Sequence, residues 1–112
     1  MSKLNELTLK EITQLASILS GKGSLEHPYE VGKNYFIRTV THHYTGHLVA
    51  VYEKELVLEK AAWIADDGRF ADALEREEFN EVEPYPSDKP VIIGRGAILD
   101  AVEIKTIPTT QK

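Results

Sequence analysis

Three of the chain's four histidines fall within six positions, His42, His43 and His47 of "THHYTGHLV" (residues 41–49). Neutral imidazole is a common nitrogen ligand for zinc and nickel. With "YTG" as the loop of a β-hairpin and Gly46 at the position requiring φ > 0, His43 faces His47 across the ladder. Those nitrogens then serve Zn²⁺ or Ni²⁺, with Glu26 or Asp66 as a third ligand. The plainer reading is that of polar residues at the exposed end of a hairpin, because no standard zinc spacing is present. Asp66 and Asp67, beside Arg69, form a second candidate, since paired carboxylates bind Mg²⁺ or work as acid and base. A turn at Asp67-Gly68 ahead of a short helix accounts for the same residues.

A third candidate is "GRG" (Gly94, Arg95, Gly96), where glycines let a backbone or ligand approach an arginine closely. It matches no phosphate-binding loop. A β-turn in which Arg95 pairs with an acidic neighbour is the alternative. Tyr52 could present an aromatic face to a nucleobase, and Trp63 reads as a core or subunit-interface residue. No serine sits in a nucleophile elbow, and the absence of cysteine removes thiol nucleophiles, disulfides and cysteine zinc sites. The expectation is a protein that is not an enzyme and uses no cofactor.

Length, charge and patterning set the frame for these residues. At 112 residues the chain suits one domain with a modest core. A net charge of −5 argues against non-specific grip on phosphate backbones, so no DNA partner is expected. No window reaches about 18 consecutive apolar residues and no signal-like run opens the chain, so the expectation is a cytoplasmic protein with no membrane partner. Residues 8–20, "TLKEITQLASILS", predict a helix: Thr8 and Glu11 make a capping box, and Leu9, Ile12, Leu15, Ala16 and Leu19 share a face. Strand-like periodicity follows in "KNYFIRTVTHH" and "HLVAVYEKELVLEKAAWIA", with a bend at "YEKE". Phe70, Ala73 and Leu74 predict a short helix, "NEVEPYPSDKP" a connector, and "VIIG" and "AILDAVEI" two further strands. The organisation is residues 1–30 as helix and linker, 31–104 as a β-barrel with an insertion at 66–90, and 105–112 as a flexible tail.

A helix before about five short strands predicts a small closed barrel, which leaves no sheet edges. "GHLVAVYEKELVLEK" (46–60) resembles the first motif of the Sm/LSm family, which includes bacterial Hfq, through Gly46, Leu48, Val51 and Leu56-Val57-Leu58. "VIIGRGAILDAVEI" (91–104) is similar to the second, through Arg95-Gly96 and Ile98. The family's Asp after the apolar residue at the Val51 position is Tyr52 here. The resemblance implies a mainly β fold with an N-terminal helix, a five-stranded Sm-like barrel, and a homo-oligomeric ring closed by head-to-tail strand pairing. It places Arg95, Tyr52, Lys54, Gly94 and Gly96 near the pore. Three functions are then weighed. The first is a structural or adaptor ring that docks a protein partner in a multiprotein or phage-type assembly. The second is a ring that binds single-stranded RNA through those pore residues. The third is a metal-dependent enzyme or sensor built on His42, His43 and His47. The acidic run "EREEFNEVEPYPSD" is a solvated surface that repels nucleic acid or meets a basic partner.

Overall fold

The computed structural model describes residues 27–112. The helix expected over residues 8–20 lies outside them, as does Glu26. The β-branched and aromatic stretches form strands: β1 (Asn34–Thr39), β2 (His43–Val51), β3 (Glu55–Asp66), β4 (Glu81–Pro84), β5 (Val91–Gly94) and β6 (Ile98–Ile104). Among the described residues one helix, α1 (Phe70–Glu75), precedes β4, and a 3₁₀ turn (Arg95–Ala97) joins β5 to β6. All six strands form one antiparallel sheet in the order β4-β3-β2-β1-β6, with β5 also paired to β3.

Alternation in β1 explains why this sheet needs cover on both faces. Tyr35 and Ile37 point into one core with Leu48, Leu56, Leu58 and Ile93. Phe36 points the other way, into a core with Ala62, Ile64, Ala73, Phe79, Val82 and Ile104. Each large side chain so buried stabilises the fold by about 1.5–3 kcal/mol. The second core exists because the 66–90 segment supplies both β4, which extends the sheet beside β3, and α1, whose Ala73 packs on it. Gly68, at φ +76, makes the expected turn before α1. The segment read as a Pro- and acid-rich connector therefore contributes a strand, since Val82 is apolar enough to be buried between acidic neighbours.

The hairpin bend is not where the glycine suggested. Tyr44, Thr45 and Gly46 lie inside β2, and the chain turns at Val40–His42 instead. Thr39 fixes that turn: its backbone N–H and its hydroxyl both donate to the His42 carbonyl, and the hydroxyl accepts from the His42 N–H. His43 consequently pairs with Arg38 and His47 with Asn34.

The expected closed barrel is corrected as well: among the described residues the sheet is open, with six strands. It curls strongly, however. At Lys60, φ 51, the ladder slips, with Thr45 opposite Ala62 but His47 opposite Glu59, so β3 bends there. Its first half pairs with β5 and its second with β4. The 3₁₀ turn then spans the gap, because Arg95 N–H donates to the Lys54 carbonyl and Val40 N–H donates to the Ala97 carbonyl. Val40 and Lys54 would be roughly 45 Å apart on a straight chain. With its ends bonded to two different hairpin turns, this connection delivers β6 to β1 rather than to β5, and no β5–β6 ladder forms among the described residues.

The segment 105–112, expected to be a flexible tail, runs back along β4. Lys112 and Val82 exchange two backbone hydrogen bonds, and Ile107 packs on the second core. Glu77 anchors its start, accepting from the N–H groups of Lys105 and Thr106 at 2.9 and 3.1 Å. Glu77 holds a left-handed φ of 57 just past α1, a site that favours glycine, so its carboxylate contacts offset local strain.

Thr45 is fully buried between Phe36 and Ala62, and its hydroxyl has no hydrogen-bond partner among the described residues. Thr45→Val keeps the shape and removes the orphaned hydroxyl. It is expected to raise unfolding free energy by about 1 kcal/mol in urea denaturation.

Candidate functional site

The residues linked by the family resemblance do meet at one end of the sheet. The bend Tyr52–Lys54 between β2 and β3 touches the junction Gly94–Gly96. Arg95 makes the connection: its Nη1 donates to the carbonyls of Tyr52 and Glu53 at 2.7 and 3.1 Å, and its guanidinium lies 5.4 Å from the Tyr29 ring. The arginine thus clamps the bend, and among the described residues it forms no salt bridge. The Tyr52 side chain is left 56% exposed. Gly94 has an ordinary φ of −70, and a Cβ on either Gly94 or Gly96 would meet no atom within 4 Å. Neither glycine is demanded by the backbone.

The histidines are separated by the corrected register. His43 and His47 lie four residues apart on the same face of β2, a rise of roughly 13 Å, too far for one ion. His47 Nδ1 is 2.8 Å from Asn34 Oδ1. His43 Nδ1 donates to both oxygens of Asp67, at 2.9 and 2.8 Å. Asp66 has a different partner, its Oδ1 accepting from Gly68 N–H at 2.9 Å. Among the described residues no three His, Asp or Glu side chains are grouped to hold a metal ion.

Around His43 lies a charged row that the sequence did not announce. Arg38 forms a two-pronged pair with Asp100 across β1 and β6, and Phe70 of α1 covers its guanidinium at 4.5 Å. The Arg38 hydrogen bond, aided by its charge and that of nearby His43, holds the Asp100 carboxyl below its ordinary value despite partial burial. A lowered folded-state pKa means that Asp100 stabilises the fold above its unfolded pKa of about 4 and loses that effect as pH falls through the folded value. Asp100 is 42% exposed, so screening keeps the effect to about 1 kcal/mol or less. Asp100→Asn is expected to lower stability at pH 7 and to flatten the acid limb of a pH series of urea midpoints.

His43 and Asp67 also line a cavity of about 400 Å³, with Thr41, His42, Trp63 and Asp66. Trp63, expected in a core or interface, is 40% exposed in this chain. Its ring lies 5.9 Å from that of His42, which is stacked on Tyr44 at 6.2 Å. The Tyr44 hydroxyl is pushed above its ordinary pKa by burial first and by the Tyr85 hydroxyl second. A second cavity, about 340 Å³, takes in Asn34, His47, Glu59 and Lys60. No local pattern could have indicated these contacts, because the partners of His43 and Arg38 lie 24 and 62 residues away.

Comparison with family models, with curated proteins and with solved structures gave no match. No helix among the described residues is long and apolar enough to cross a membrane.

Proposed function

We propose that this chain is a non-enzymatic, self-associating β module of the Sm-like kind, a structural or adaptor component of a larger assembly. The observation that carries the reading is a pair of open strand edges. Among the described residues β5 is bonded only to β3, and β6 only to β1. Each displays an apolar residue to solvent, Ile92 at 68% and Leu99 at 66% exposed. Unpaired edges bearing apolar side chains invite pairing with another chain, and proteins that remain single blunt them with charge or proline. Joining β5 of one copy to β6 of the next covers both edges at once. The contact is heterologous, and it closes if its rotation divides a circle.

The path β5-β3-β2-β1-β6, curled and bridged by a three-residue turn, supports the Sm-like reading of the fold. The test is mass by light scattering at micromolar concentration. A ring gives a multiple of 12.6 kDa; a species of one chain's mass ends the proposal.

Single-stranded RNA is the second reading, favoured by the meeting of Tyr52, Lys54 and Gly94–Gly96 at one end of the sheet. Arg95 weighs against it, being already bonded to two carbonyls. Fluorescence anisotropy with oligo-U and oligo-A at two salt concentrations separates the readings. Salt-sensitive, sub-micromolar binding lost in Lys54→Ala and Tyr52→Ala would favour RNA.

A further inference from the structure

We propose that the exposed sheet face around Trp63 is a docking site for a basic protein segment, whose lysine or arginine side chains lie over the indole. The inference gives the adaptor reading a partner chemistry and rests on that reading for its context, but it uses a different surface from the strand edges.

The face is aromatic and open. Tyr44 and Trp63 are neighbours across the β2–β3 ladder, and His42 packs against both. Trp63 and Tyr85 are 40% and 36% exposed, and the cavity of about 400 Å³ lies beside the indole. An indole left 40% exposed within a strand forgoes burial, which is what a binding surface does.

Charge selects the occupant. Glu83 sits directly across the ladder from Trp63, and Glu81 directly across from Asp66. Like charges opposite one another destabilise a sheet, so Asp66 and Glu81 impose a cost that a cation would relieve. Among the described residues none of these three carboxylates lies in a salt bridge; Glu83 receives only the Gln111 amide, at 3.3 Å. Asp67, by contrast, accepts hydrogen bonds from His43 Nδ1. The cavity lining contains no lysine or arginine, which disfavours phosphate or carboxylate ligands. An aromatic face ringed by unmatched carboxylates favours a cation with an aliphatic stem: the stem covers the ring, the charge sits over it, and carboxylates accept its N–H groups. Nucleic acid is disfavoured by the same charges.

Trp63 is the chain's one tryptophan, so its emission reports directly on this face. The probe is a short fluorescein-labelled peptide of alternating lysine and glycine, titrated into the full chain at low and at physiological salt. Saturable binding that shifts Trp63 emission and weakens with salt is expected. Trp63→Leu should weaken it about tenfold and Trp63→Phe less, in line with the greater strength of indole in cation–π contacts. Glu83→Gln should weaken it about threefold, whereas Glu53→Gln, on the remote β2–β3 bend, should leave it unchanged. Thermal melts of each variant separate lost binding from lost folding. The proposal is overturned if the peptide does not bind, if Trp63→Leu binds as well as the parent chain, or if Glu53→Gln weakens binding as much as Glu83→Gln. A chain of single mass that still captures the peptide would remove the ring and keep this site.

Discussion

Replacing Gly46 by alanine is expected to lower the unfolding free energy by about 1–2 kcal/mol, and replacing it by valine to lower it further. The estimate sets an overpacking cost of about 1–3 kcal/mol against a gain of about 0.4–1 kcal/mol from stiffening the unfolded chain. Steric cost dominates because of what lies above the glycine. A Cβ there would stand 2.8 Å from Leu58 Cδ1 and 2.9 Å from Leu58 Cβ. The first contact can relax by a rotamer change, but the second is fixed to the backbone of β3. Leu58 is fully buried and packed in the core with Ile37, Leu48 and Ile93, so it has nowhere to retreat. The φ of Gly46 is not in the left-handed region, hence the requirement is space alone. Urea denaturation of Gly46→Ala, Leu58→Ala and the double variant supplies the check. The double should cost less than the sum, since truncating Leu58 clears the contact. Strict additivity would mean that the two residues do not compete for this volume.

Gly46 also marks where sequence reasoning stopped short. A glycine between two strand-like runs signals a turn, and that signal placed the bend four residues late. What decides the bend is Thr39, whose hydroxyl serves His42 in both directions, and a threonine at the end of a strand-like run carries no special mark. That one displacement rearranged the histidines and removed the proposed metal pair. Strand stretches rich in Val, Ile, Tyr and Phe, the "YEKE" bend, the Asp67-Gly68 turn and the helix of Phe70, Ala73 and Leu74 were legible because each is a local pattern. The ladder slip at Lys60 was not, since nothing in "VLEKAAWI" distinguishes a left-handed lysine from its neighbours. Nor could β4 be seen, because its place depends on Val82 reaching a core whose members Phe36, Ala62, Ile64 and Ile104 are distant in sequence. The pairs His43–Asp67 and Arg38–Asp100 are products of register, and register is a property of the whole sheet.

Ile92→Lys and Leu99→Lys carry the largest expected effect, and mixing them tests the geometry of assembly. Each substitution places a charge on one strand edge, the device by which natural sheets prevent pairing. Both positions are more than three-fifths exposed in the single chain, so neither change should cost more than about 0.5 kcal/mol of folding stability. Assembly should nevertheless collapse to 12.6 kDa in either variant, read by light scattering. Mixing the two then discriminates between contact types. In the head-to-tail arrangement, Ile92→Lys keeps a sound β6 edge and Leu99→Lys a sound β5 edge. One good contact can form between them, and the remaining two edges are both blocked. The mixture should therefore yield a dimer of unlike variants and stop there. A self-complementary contact, β5 to β5 or β6 to β6, behaves differently: at least one variant alone would still dimerise, because its unaltered edge would meet a copy of itself. Single-chain mass for each variant with a dimer only on mixing is thus the result expected of the proposed β5–β6 contact.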